Sequence, residues 1–152
     1  MHTLLKRTQT GFSLIEAMVS LVVVSVGMIG IAALYGQGLG ASRTALSRTQ
    51  AVNLAADMAD RIRVNRLGGA AYAGPGANNN CDPGGGVNCP PALMAAHDIW
   101  AWTAQVAAQL PNGAGTVQFV ATAPPTYTIQ VAWQETGLGA VNYQMVIRVP
   151  NL

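Results

Sequence analysis

Few side chains in this chain could do chemistry, and their spacing decides of what kind. Glu16 stands at the head of a long apolar run, in "GFSLIEAMVSLVVV", with Gly11 and Phe12 just before it. A carboxylate in hydrocarbon costs a few kcal/mol and usually marks a function. Interfacial water lowers that cost near the end of a span, so an inert interfacial residue is the plain alternative. Cys81 and Cys89 flank "DPGGGVN". In an oxidising compartment they can close a local disulfide, worth about 2–3 kcal/mol on the chain-entropy view. Neither a CxxC pair nor a histidine cluster accompanies them, so they do not read as metal ligands. His97 lies beside Asp98, but without a serine or cysteine nucleophile motif the two read as an ordinary surface pair. Asp82, Asp98 and Glu135 are too dispersed for a calcium site. No carboxylate pair, metal cluster or phosphate loop supports catalysis, so neither an enzyme nor a cofactor is expected.

Composition narrows the class. Hydrophobic residues make up 51% of the 152 and charged residues only 9%, against about 25% charged in soluble domains. That gap asks for a membrane segment or a buried assembly. The net charge is +2 and the basic residues are scattered, so no nucleic-acid surface is expected.

From Ala17 to Ser42 there are 26 residues without a charge, more than the roughly 20 that cross a bilayer as a helix. A single-pass anchor is one reading. A secretory signal is another, with a small-x-small site in "GLGAS", although its apolar region usually runs about 7–15 residues. Lys6 and Arg7 precede the run, and Arg43 and Arg48 follow it, so side-chain charge does not orient it. The N-terminal amine and the cysteine pair both favour a cytoplasmic N-terminus.

The residues from Lys6 to Leu34, "KRTQTGFSLIEAMVSLVVVSVGMIGIAAL", resemble the class III signal of type IV pilins and type II secretion pseudopilins. Those families share a basic leader, a glycine, a methylatable aromatic, a glutamate four positions later and an apolar helix. Gly11, Phe12 and Glu16 match each element. "VSVGMIGIAALYGQGL" followed by "RTQAVNLAADMADRIRVNR" is similar to the PilV-type minor pilins, over Gly11 to Arg66. One departure is that no proline occurs before Pro75, whereas many major pilins carry one within the span.

The resemblance implies that prepilin peptidase cuts between Gly11 and Phe12 and methylates the new Phe12 amine. The leader charges Lys6 and Arg7 depart with the leader, leaving 152 − 11 = 141 residues. It further implies that Glu16 sets register, as counter-ion to the Phe12 amine of a neighbouring subunit. An unpaired charge in an apolar core is costly and a satisfied pair is tolerated. The expected function is a structural subunit of the pilus or its tip or priming complex, acting in pilus assembly, adhesion or motility. The expected partners are prepilin peptidase, other major and minor pilins and inner-membrane lipid, with no nucleic acid. The expected location is the inner membrane, head periplasmic, and then the fibre. A type II secretion pseudopilin is the alternative within the class. A membrane-anchored or secreted binding domain presenting "NNNCDPGGGVNC" is the alternative outside it.

The elements that must position these residues follow from periodicity. One helix is expected from Phe12 to about Arg66, roughly 82 Å at the α-helical rise. Beyond Ser42, Val52, Ala55, Ala59 and Ile62 recur at helical spacing with Met58 beside them. Asp57 with Arg61 and Asp60 with Arg63 stand acid-first, the better order on a helix, so "DMADRIRVNR" reads as a solvated face. Gly68–Gly69 is a stop signal, and 68–91 reads as loop. "ALMAAHDIWAWTAQVAAQLP" reads as a second helix, with Leu93, Ala96, Trp100, Ala107 and Leu110 on its inner face. Trp100 and Trp102 read as packing anchors.

Three alternating segments, "GTVQFVA", "TYTIQVAWQE" and "VNYQMVIRV", read as strands. The second places Tyr127, Ile129, Val131 and Trp133 on one face, and the third Tyr143, Met145, Ile147 and Val149. Together these give an α+β, type IV pilin-like fold, a long N-terminal helix packed on a small antiparallel sheet. The divisions expected are a leader over 1–11, a transmembrane or filament-core helix over 12–41, its amphipathic half over 42–67 and a head over 68–152.

Overall fold

Helix α1 runs from Leu14 to Val64. The computed structural model describes residues 11–81, 88–135 and 137–150. The chain divides into two units after Ser42. In the first unit every described side chain is exposed, the Val, Ile, Leu and Met residues included.

The second unit holds the core. Its part of α1 buries Ala51, Leu54, Ala55, Met58, Ala59 and Ile62, spacings of three and four that keep one stripe inward. Val52 was expected in that stripe and is instead partly exposed. It lies between turns of the true stripe, which starts at Ala51.

After α1 a 3-10 helix spans Arg66–Ala73, broken at Gly69, where φ is 49° and ψ is −128°. The expected loop from Gly68 is therefore helical to Ala73. Tyr72 explains this, because its ring is fully buried and its hydroxyl donates to the carbonyl of Arg61 at 3.2 Å. Gly68 lies under the same ring, where a Cβ would come 2.8 Å from a ring carbon.

Helix α2 covers Pro91–Gln109, with proline in its first turn, where no intrahelical N–H is needed. Pro111 follows its end. Its buried face is Ala95, His97, Asp98, Ile99, Trp102 and Val106, with Leu110 just beyond. Of the face expected from sequence only Leu110 is fully buried and Ala96 half-buried. Leu93 and Trp100 are 45% and 41% exposed, and Ala107 is exposed. Trp102 sets the rotation. Its ring is fully buried and its indole N–H donates to the carbonyl of Leu54 in α1 at 2.8 Å, satisfying the one polar atom of a large apolar side chain.

The sheet is antiparallel in the order β1-β2-β3, with β1 Ala114–Val120, β2 Thr126–Glu135 and β3 Gly139–Arg148. β2 buries Tyr127, Ile129, Val131, Trp133 and Glu135 in strict alternation. In β3 only Ile147 is fully inward, while Val141, Tyr143 and Met145 pack partly buried against the core. The β2–β3 turn uses Gly137 and Gly139 at φ of 86° and 80°, values that L side chains avoid. At Gly115 a Cβ would come 2.4 Å from the Trp102 ring, so this strand meets α2 through a missing side chain.

Candidate functional site

Gly11, Phe12 and Ser13 precede α1 in non-helical, exposed backbone. The carbonyl of Ser13 accepts the N–H groups of Glu16 at 3.1 Å and Ala17 at 3.2 Å. That contact starts the helix and puts Glu16 in its first turn, where free N–H groups and the helix dipole favour negative charge. Among the described residues no cation pairs with Glu16. Phe12 is exposed, and nothing lies within 4 Å of a Cβ placed on Gly11. Among the described residues the motif is thus open to solvent. Lys6 and Arg7 lie outside the described residues.

The apolar part of α1 has its own chemistry. Ser20, Ser25 and Ser42 each donate to the carbonyl four residues earlier, those of Glu16, Leu21 and Gly38, at 2.7–2.9 Å. Such back-bonding hides a hydroxyl that a dry environment would otherwise leave unpaired. This stretch is long and apolar enough to cross a membrane, and none of it is buried within the chain.

The second unit carries two charge clusters that local sequence did not reveal. Asp98 was expected at the surface beside His97. Instead the two residues are 9% and 3% exposed. Asp98 accepts from Arg61 at 3.1 Å and from the Tyr72 hydroxyl at 2.8 Å. Arg61 also donates to Asp57 at 3.0 Å. One carboxylate thereby ties α2 to α1 and to the 3-10 helix. Burial works against the Arg61 charge, but the carboxylates of Asp57 and Asp98 outweigh it and its pKa rises. Burial, and then Asp98, push the Tyr72 hydroxyl upward too. The imidazole of His97 stacks on Trp100, ring centres 5.5 Å apart. The reading of "DMADRIRVNR" as a solvated face holds for Asp60 and Arg63, an exposed pair at 2.7 Å, and not for Arg61.

The second cluster joins α1 to the end of β2. Arg48 grips Glu135 through two bonds, Nε at 3.0 Å and an Nη at 3.2 Å. The Glu135 side chain is 2% exposed and that of Arg48 58%. The Arg48 hydrogen bonds hold the Glu135 carboxyl below its usual range, against the opposing effect of burial. The Trp133 indole N–H makes no hydrogen bond of standard geometry, yet it lies near enough to help hold that carboxyl down. Both clusters fasten elements together. Among the described residues no group of His, Cys, Asp and Glu could hold a metal.

Cys81 and Cys89 form a disulfide, their Cα atoms 5.8 Å apart. The chain leading to it is fastened onto α2. The N–H of Ala77 donates to the Ala96 carbonyl and the Asn79 amide to that of Leu93, both at 2.9 Å. Residues 82–87 between the cysteines, Asp82 included, lie outside the described residues.

Two family models match the chain. Residues 6–32 match the prokaryotic N-terminal methylation motif. Residues 33–100 match the model described as type IV pilin Tt1218. No curated protein and no solved structure gives a significant match. The first model covers the exposed motif and most of the exposed apolar run of α1. The second runs from there through the core stripe of α1, the disulfide and the first half of α2.

Proposed function

Because the chain is a type IV pilin-like prepilin, we propose that it serves as a minor, PilV-like pilin, a structural subunit of the pilus or of its tip or priming complex. The N-methylation motif implies processing by prepilin peptidase. In this reading the enzyme cuts between Gly11 and Phe12 and methylates Phe12. The exposure of Gly11–Ser13 supports this, since a protease needs an extended, accessible segment. The leader is then 1–11, the span and later filament core 12–41, the amphipathic half of the helix 42–67 and the periplasmic head 68–152. The inner membrane holds the mature chain, N-terminus cytoplasmic, until neighbouring pilins replace lipid around the helix.

The observation that carries the proposal is a Glu16 with no cation beside it among the described residues, at the start of a helix whose apolar side chains up to Ser42 are all exposed. Burying such side chains yields about 1.5–3 kcal/mol each, which only lipid or other subunits can supply here. In a dry core a lone carboxylate is strongly unfavourable, so subunits seat where Glu16 meets the Phe12 amine of a neighbour. Burial drives assembly and the charge pair sets register.

The test separates the two steps. In Glu16→Ala, the mature chain should still begin at N-methyl-Phe12 by mass spectrometry, while the protein is lost from sheared pili. Wild-type levels of the variant in pili would refute the register role. A wild-type chain starting near Ala41, or retaining Met1, would refute prepilin processing.

A further inference from the structure

The acids of the second unit leave its cations unequally served. Asp57, Asp60, Asp98 and Glu135, all the acids described there, are each engaged by Arg48, Arg61 or Arg63. Arg66 has no acidic partner among the described residues, and its Nε–H is held by the carbonyl of Arg63 at 3.2 Å. Arg148 also has no acidic partner among them, and it pairs across the sheet with Thr126, the residue after Pro125.

Arg66 stands between two hollows. One, of about 490 Å³, lies along Arg63, Val64 and Leu67. The other, of about 480 Å³, is floored by Leu67, Phe119, Ala121, Pro125 and Tyr127. Val64 and Leu67 are 88% and 85% exposed. Single exposed apolar residues are ordinary, whereas a contiguous apolar patch rimmed by charge marks an interaction site. The positive φ of Gly69 bends the 3-10 helix here, so Tyr72 turns into the core while Arg66 and Leu67 face outward.

We infer that this end of the second unit, centred on Arg66 and Leu67, docks a partner protein segment in which a carboxylate adjoins apolar side chains. The guanidinium supplies paired N–H donors that fit a carboxylate. The two hollows take the apolar side chains on either side of it. Arg148 adds a second positive charge at the same end of the sheet, so an acidic partner is favoured at longer range. Both hollows are lined by residues of the second unit alone, and a chain that fails to enter pili would still bind.

The test uses the full chain in nonionic detergent micelles and two fluorescein-labelled peptides, Asp-Phe-Asp-Leu-Asp-Phe and its counterpart with Asn in place of Asp. By fluorescence anisotropy the acidic peptide should bind saturably and at least roughly tenfold more tightly than the Asn peptide. Raising NaCl from about 0.05 to 0.5 M should weaken it. Arg66→Glu should lose about tenfold or more, Leu67→Ser severalfold, and Arg43→Glu nothing. An unchanged thermal melt for Arg66→Glu shows that the loss is not unfolding. Equal binding of the two peptides, no binding of either, or undiminished binding by Arg66→Glu would each overturn the inference. Displacement of the peptide by duplex DNA would overturn it as well, by marking a general polyanion surface.

Discussion

Asp98 shows how much one buried carboxylate can do in this molecule. It holds Arg61 and the Tyr72 hydroxyl at once, and removing it leaves Arg61 with Asp57 alone and the hydroxyl with only the longer bond to the Arg61 carbonyl. Asp98→Ala should therefore cost about 1.5–3 kcal/mol, the usual range for a hydrogen bond to a charged group, read as a shift in the midpoint of chemical unfolding. Gly115 makes a separate point. A methyl group there meets the Trp102 ring, itself fixed through the Leu54 carbonyl, so Gly115→Ala should destabilise by about 1–3 kcal/mol through overpacking. Gly137→Ala meets open space and costs through its positive φ alone, so the two variants separate crowding from backbone strain. Nothing in the local sequence marks Asp98 or Gly115, because their partners stand far along the chain.

Among the elements, β2 matches its sequence reading residue for residue. Alternating apolar side chains between a proline pair and a glycine turn admit only one register. α2 was legible as a helix but not in its orientation. Alanines and two tryptophans offer more than one apolar face, and the Trp102 hydrogen bond to α1 chooses among them. In the α1 stripe Ala55, Met58, Ala59 and Ile62 are buried as expected and only Val52 is not, Ala51 taking the inward place beside it. The link from α1 to the end of β2 has a pH signature. The folded pKa of Glu135 is depressed, so its contribution is present above the ordinary carboxylate range and is lost as pH falls through the folded value. The melting temperature should be flat from about pH 5 to 7 and fall below about pH 4. Glu135→Gln should lower the plateau and flatten that acid limb, and an unaltered acid limb would show that other carboxylates govern it.

The composition of the whole molecule, 51% hydrophobic and 9% charged, follows from two different demands. One unit exposes its apolar side chains and needs an external apolar environment. The other builds a buried apolar core and ties its described acids into ion pairs. The Cys81–Cys89 bridge acts on the second by shortening the unfolded chain's freedom. Replacing both cysteines by serine should lower stability by about 2–3 kcal/mol, measured by denaturant unfolding, with N-terminal processing at Phe12 unchanged. Loss of processing in that variant would mean that the peptidase needs an intact head.

The sequence by itself determined the features that depend on near neighbours. These are the Gly11–Phe12–Glu16 motif, the uncharged run that follows it, the existence of α1, α2 and the three strands, and the acid-first pairs of α1. Each rests on spacing within a turn or along a strand, where the chain's own geometry sets the contact. Only the tertiary structure decided which face of α2 is inward, that Gly68–Ala73 continues as a 3-10 helix around Tyr72, and that Asp98 and Glu135 are buried partners rather than surface acids. Those contacts join residues 37 and 87 positions apart. No local period encodes such pairs, and they form only when packing brings the elements together and leaves each buried charge one place to find its partner.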